Sequence, residues 1–217
     1  MNPKILIIGG DSFIAQAFVK NTSLNKSDIY LISRRKTNYP HETVIENLFN
    51  INSDFIKQFN TVINFAAIVH RPNIKNTDLY ETINHQLPLH IASMLAKGPA
   101  THFIQISSIS VYGYATEISY STTPSPNTIY GMTKLAADND LINTFTNKIK
   151  MSIIRPPMMY GIGKAPGNMM KLIKLINKVP ILPLANINNM RHFLNINNFI
   201  QYLDQIIINQ ITGIVLI

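Results

Sequence analysis

The chain has 217 residues, 46% of them hydrophobic, enough to bury one large domain core. It carries a formal net charge of +8 and no cysteine, which excludes disulfides, thiolate catalysis and zinc–thiolate sites. The basic residues are scattered, with no run longer than Arg34-Arg35-Lys36, so nucleic-acid binding is not expected and attraction to anionic ligands remains open.

In chain order, Lys4-Ile-Leu-Ile-Ile8 is a continuous apolar run, the pattern of a strand buried on both faces. A turn at Gly9 to Ala15 and a helical stretch to about Lys20 follow. Asp28-Ile-Tyr-Leu-Ile-Ser33 and Thr61-Val-Ile-Asn-Phe-Ala-Ala67 read as further strands. A long helical pattern covers about Asn76 to Ala96, His102 to Ser107 is a strand, and Tyr130 to about Thr146 a helix. Met151-Ser-Ile-Ile-Arg155 is a strand stopped by Pro156-Pro157. Strands alternating with helices predict an α/β fold with a Rossmann-type, doubly wound parallel sheet. After residue 156 the pattern loosens, with helices expected near Asn168 to Asn177 and Phe199 to Asn209 and a last strand at Gly213 to Ile217. The expected division is residues 1–155 as a dinucleotide-binding unit and 156–217 as a partial substrate region interleaved with the end of the sheet. No apolar run reaches membrane-span length and the N-terminus lacks a signal-peptide profile, so a cytoplasmic protein is expected.

Four stretches carry candidate chemistry. Gly9, Gly10, Ser12, Phe13 and Ile14 form a strand–turn–helix junction whose backbone N–H groups and helix dipole suit a pyrophosphate, although an ordinary turn has the same outline. At the end of the second strand, Ser33, Arg34 and Arg35 stand where a ribose-binding carboxylate would select NAD. Arginines there suit a 2′-phosphate and favour NADP, the alternative being a solvated basic loop. Ser107-Ser-Ile-Ser-Val-Tyr-Gly113 leaves a strand at its carboxyl end, where a serine hydroxyl can meet a substrate oxygen or where a serine-rich turn simply closes. Asn127 or Thr128 can cap a helix that places Tyr130 and Lys134 on one face. An ammonium beside the phenol is expected to lower its pKa and make it a proton donor and acceptor. His85 and His90 lie five apart on different helix faces, so no metal site is expected.

The order of the glycine turn, Asn64-Phe-Ala-Ala67, Asn84, Ser108 to Gly113, Tyr130-Gly-Met-Thr-Lys134 and Arg155-Pro-Pro-Met-Met-Tyr-Gly161 resembles the extended short-chain dehydrogenases/reductases, in the NAD-dependent epimerase/dehydratase branch. Ala66 to His70, Gly167-Asn168 and Pro183 to Arg191 are similar to nucleotide-sugar 4-ketoreductases and 4-epimerases of bacterial surface-polysaccharide synthesis. The UDP-N-acetylquinovosamine 4-dehydrogenase/reductase group is the nearest of these. The resemblance implies Tyr130 as acid/base, Lys134 as its pKa modulator and ribose ligand, and Ser108 as hydrogen-bond partner of the reacting oxygen. It implies Ala66, Ala67, Arg155 and Pro156 along the cofactor crevice, with Asn84 supporting the site, and Gly167, Asn168 and Arg191 toward a UDP-linked nucleotide sugar. NADP or NAD is the implied cofactor and a homodimer the implied assembly. Ser12 and Ala15 replace glycines of the family pattern, Met158 replaces a frequent Asn, and Asn195, Asn197 and Asn198 lie where His and Asp are common. Family members continue further, so the substrate region is expected to be truncated. A non-catalytic cofactor-binding module, or a remnant of such an enzyme, is the alternative expectation.

Overall fold

The computed structural model describes residues 4–69, 77–99, 101–161, 175–178 and 191–217. Seven strands form one parallel sheet: β1 (Ile5–Ile8), β2 (Ile29–Ser33), β3 (Glu42–Val44), β4 (Thr61–Asn64), β5 (His102–Ile106), β6 (Lys150–Arg155) and, last in sequence, β9 (Gly213–Leu216). Their order across the sheet is β3-β2-β1-β4-β5-β6-β9, every neighbouring pair parallel. The winding reverses between β1 and β4, which opens a crevice at their carboxyl ends. A separate two-stranded sheet pairs β7 (Met158–Tyr160) with β8 (Phe193–Asn195). The expected α/β doubly wound sheet is therefore present.

Successive side chains of a strand point to opposite faces, so the uniformly apolar β1 feeds two cores. Leu6 and Ile8 join Val62, Ile91, Leu95, Phe103, Leu141 and Ile153 on one side. Ile5 and Ile7 join Phe18, Ile63, Ile104, Ile154, Phe199 and Leu203 on the other. Each such residue contributes roughly 1.5–3 kcal/mol on burial. The first face is covered by α2 (Ser53–Ile56), α4 (Leu87–Leu95) and α5 (Ile129–Phe145), the second by α1 (Phe13–Asn21) and α6 (Ile196–Ile208). α6 is tied to α1 by the buried Asp204, which accepts from Thr22 Oγ1 at 2.6 Å and from Ser23 N at 2.8 Å and Oγ at 2.7 Å.

The helix expected over 76–96 is composite. A first turn, α3 (Thr77–Tyr80), runs through a π-helical segment (Glu81–Gln86) into α4. β3, β7 and β8 were not expected; each is three residues long with no fully buried residue, which leaves little hydrophobic periodicity to read. Most of the helix expected near 168–177 lies outside the described residues. Among the described residues no helix is long and apolar enough to cross a membrane.

Candidate active site

The turn after β1 is built by backbone geometry. Gly9 has φ +81, and a Cβ there would sit 2.6 Å from Ala66 N, so only glycine lets β1 and the loop after β4 come this close. The N–H groups of Gly9 and Gly10 both donate to Ile32 O, at 2.9 and 3.0 Å, fastening the turn to β2. Ser12, which departs from the glycine pattern, is the N-cap of α1 and accepts from Ala15 N at 3.2 Å. Phe13 and Ile14 form the first turn of that helix. Ser33 is fully buried under Gly10, its hydroxyl donating to Glu42 Oε1 at 2.8 Å. Glu42 also accepts from Thr37 N and so closes the loop holding the basic run. Burial pushes its carboxyl up, but these hydrogen bonds outweigh that and leave its pKa lowered. Arg34 is exposed; Arg35 is also exposed and donates from Nε to Asp11 of the glycine turn at 2.9 Å.

The other wall of the crevice starts at Asn64, which donates to Gln105 Oε1 on β5 and accepts from Ala66 N. Ala66 is buried and Ala67 half-buried. Asn84, in the π-helical segment, accepts from Ile68 N at 2.8 Å. Its amide donates to Ile68 O at 3.0 Å and to Thr133 Oγ1 at 3.4 Å. One side chain thus pins the loop after β4 to α5.

Thr128 caps α5, accepting from Gly131 N at 3.1 Å. The helix then runs against the 3₁₀ turn Ile109–Tyr112: a Cβ on Gly131 would meet Ser110 O at 2.5 Å. Tyr130, Lys134 and Asp138 fall on successive turns of one face. Lys134 is 1% exposed, and its Nζ donates to Ile106 O at 2.9 Å. Burial lowers its pKa to about 8, opposed by the charge of Asp138. The half-buried Tyr130 meets the Ser108 hydroxyl, which also accepts from Ser110 N at 3.1 Å. Burial raises the phenol to about 12, Ser108 pulling it down and Asp138 pushing it up. This corrects the expectation of a lowered tyrosine pKa, because the low-dielectric surroundings disfavour phenolate more than the polar contacts favour it.

Behind the pair lies a buried charge network. Asp138 Oδ2 accepts from Ser107 Oγ at 2.8 Å and from Arg155 Nε at 3.0 Å. Arg155 Nη1 donates to Tyr112 Oη at 2.8 Å. The Arg155 guanidinium, expected along the cofactor crevice, is therefore engaged internally. Pro156 is buried, and its carbonyl accepts from Ile109 N. Burial lifts Asp138 to about 6, against the pull of Arg155, Ser107 and Lys134. Asp138 was not singled out from the sequence, although its place four residues after Lys134 is the signal that could have found it. Arg191 is exposed just before β8, and Gly167 and Asn168 lie outside the described residues.

A doubly wound parallel sheet with a glycine turn at its switch point and a Ser–Tyr–Lys set after β5 defines a Rossmann-type α/β protein. The chain belongs to the NAD dependent epimerase/dehydratase family, whose model matches residues 5–214. It is 29% identical over 215 residues to a UDP-glucose 4-epimerase of Vibrio cholerae, covering 92% of this chain and 65% of that protein. It is 26% identical over 213 residues to an N-acetyl-alpha-D-glucosaminyl-diphospho-ditrans,octacis-undecaprenol 4-epimerase of Escherichia coli O157:H7, covering 93% of this chain and 63% of that protein. The chain thus spans slightly less than two thirds of the length of these relatives. A Bacillus cereus UDP-glucuronic acid 4-epimerase in complex with NAD shares the fold, with TM-score 0.82 and 22% identity over 98% of this chain and 76% of that one.

Proposed function

We propose that the chain is an NAD(P)-dependent oxidoreductase or epimerase acting at C4 of a nucleotide-linked sugar, UDP-linked, in surface-polysaccharide synthesis. The observation that carries this reading is the joining of Ser108, Tyr130 and Lys134 at the carboxyl end of β5. The relatives named above act on nucleotide- or diphosphate-linked sugars, which supports the substrate class.

The residues present fit a dinucleotide. The cradle at Gly9 is one that a Cβ would fill, and it opens onto the N-terminus of α1. Gly9, Gly10, Ser12, Phe13 and Ile14 would hold the pyrophosphate, and Ala66 and Ala67 would line the crevice. Ser33, Arg34 and Arg35 would meet the adenosine ribose. When bound, the cofactor supplies or removes the hydride at the sugar carbon. Tyr130 gives its proton to the carbonyl oxygen as that carbon is reduced, and takes a proton back from the hydroxyl in the reverse direction. Ser108 hydrogen-bonds the same oxygen. Lys134, held by Ile106 O, supplies positive charge that favours the phenolate once the proton has left. NADP is preferred over NAD in this reading: Asp11 holds Arg35 Nε and leaves the outer edge of an exposed guanidinium toward solvent for a 2′-phosphate. Arg191, Gly167 and Asn168 belong to the sugar-nucleotide side, and residues 156–217 to a substrate region. A homodimer is part of the same proposal.

The competing reading is a non-catalytic dinucleotide-binding module. Thermal-shift titration separates the two. A ligand at a hundred times its Kd stabilises by about 2.7 kcal/mol. Stabilisation by NADPH and, separately, by a UDP-sugar is expected. Stabilisation by dinucleotide with none by any nucleotide sugar contradicts the proposal.

A further inference from the structure

The end of β5 and one face of α5 are joined residue by residue. Ile106 O accepts from Lys134 Nζ at 2.9 Å, Ser107 Oγ donates to Asp138 Oδ2 at 2.8 Å, and the Ser108 hydroxyl meets the Tyr130 phenol. Three consecutive residues of the strand end therefore hold three residues spaced one helical turn apart. Only two of those helix residues, Tyr130 and Lys134, have a place in the chemistry above. Asp138 is fully buried, and its second oxygen, Oδ1, has no hydrogen-bond partner. A buried carboxylate with an unsatisfied oxygen is costly, and an apolar side chain would pack the same space at less cost. The charges around it are Arg155 on β6, 3.0 Å from Oδ2, and Lys134 on its own helix. Tyr130 lies within its field, and Tyr112, after β5, is the partner of Arg155.

We propose that Asp138 is a positioning residue for the proton transfer, holding the 107–108 backbone in register with Tyr130 through Ser107 and keeping Lys134 charged through space. The inference rests on the acid–base roles proposed for Tyr130 and Lys134. The buried cluster contains two cations, Lys134 and Arg155, and one anion, Asp138. With Asp138 ionised, both cations persist in a dry site and a net positive charge faces the phenol. With the carboxylate charge absent, two buried cations stand uncompensated, and Lys134, the one able to release a proton, does so at lower pH.

The test follows Lys134 directly. In protein labelled at the lysine ¹³Cε position, its resonance is identified by its loss in Lys134→Arg. Its titration is then compared in wild type, Asp138→Asn and Asp138→Glu. The Lys134 midpoint is expected to fall by about one pH unit or more in Asp138→Asn. It returns toward the wild-type value in Asp138→Glu, which keeps the charge. The basic limb of kcat on a keto-sugar nucleotide moves down with it while KM stays. A merely structural Asp138 would lower kcat equally at every pH and leave the Lys134 midpoint in place, and that result overturns the proposal.

A measurement on wild type needs no variant to fold. The Lys134 resonance should show a second inflection near pH 6, where Asp138 takes its proton. A resonance blind to that range also overturns the proposal. Neither nuclear magnetic resonance readout requires turnover. Absence of activity on every nucleotide sugar, together with a shifted midpoint, would refute the substrate reading and support the role of Asp138.

Discussion

The seam between α5 and the ends of β5 and β6 contrasts with the small β7–β8 sheet. In the seam Ser107, Lys134, Asp138 and Arg155 are all buried, and each is joined to another element by a hydrogen bond of 2.8–3.0 Å. Beyond Arg155, Met158 and Tyr160 on β7 and Phe193 on β8 stand 42%, 40% and 44% exposed, and Arg191 is exposed as well. The contrast shows where the fold spends its burial energy. The proposed acid–base apparatus is also structural: Ser107, Lys134, Asp138 and Arg155 are the side chains that bind a helix to two strands. The proposed substrate side includes the short β7–β8 sheet, whose exposed residues can change with little cost to the core.

Breaking the seam should give the largest effects. Tyr130→Phe removes the proton donor and is expected to lower kcat on a keto-sugar nucleotide by about 10²–10⁴-fold, read by absorbance of the reduced cofactor. Dinucleotide binding should survive. Asp138→Ala leaves Arg155 and Lys134 uncompensated and should destabilise by about 3–5 kcal/mol in urea denaturation. Gly9→Ala forces a side chain into a left-handed conformation against Ala66 N, and should cost about 1–3 kcal/mol and weaken dinucleotide binding.

At the rim of the seam the effects shrink. His85 bridges Glu81 and Asp140 at 2.5 and 2.7 Å, tying the π-helical segment to α5. Burial pushes its pKa down, but the two carboxylates outweigh that and leave it raised. The sign follows: its contribution is fully present below the ordinary histidine pKa and is lost as pH rises through the raised folded value. Stability should fall by less than about 1 kcal/mol across that rise, and Asp140→Asn should flatten the dependence. On the far side, Met158→Ser and Phe193→Ser should each stay within about 0.5 kcal/mol. A large loss at either would erase the contrast.

Much of this was legible in the sequence because it is local. A continuous apolar run marked β1 as a strand buried on both faces, residues 61–67 and 102–107 read as the strands β4 and β5, and four-residue spacing placed Tyr130 beside Lys134 on a helix. What escaped depends on topology. Asp138 meets Ser107 and Arg155 across 31 and 17 residues, and only the adjacency of β5 and β6 brings them together. Arg155 was readable as a cation at a strand end, but not as one turned inward to Asp138 and Tyr112. Ser12 looked like a lost glycine and is a helix cap, since the turn needs positive φ at Gly9 alone. The pKa of Tyr130 went the other way from expectation because spacing shows a neighbouring charge but not the depth of burial.

The central claim is that Tyr130 exchanges a proton with the oxygen of a carbon that exchanges hydride with NAD(P). Single-turnover reduction of a UDP-linked 4-keto sugar with cofactor deuterated at the transferable position tests it most directly. The expected result is deuterium at C4 of the product sugar with wild-type protein, slowed at least about 10²-fold in Tyr130→Phe. Product without deuterium at C4, or equal rates in the two proteins, would contradict the account.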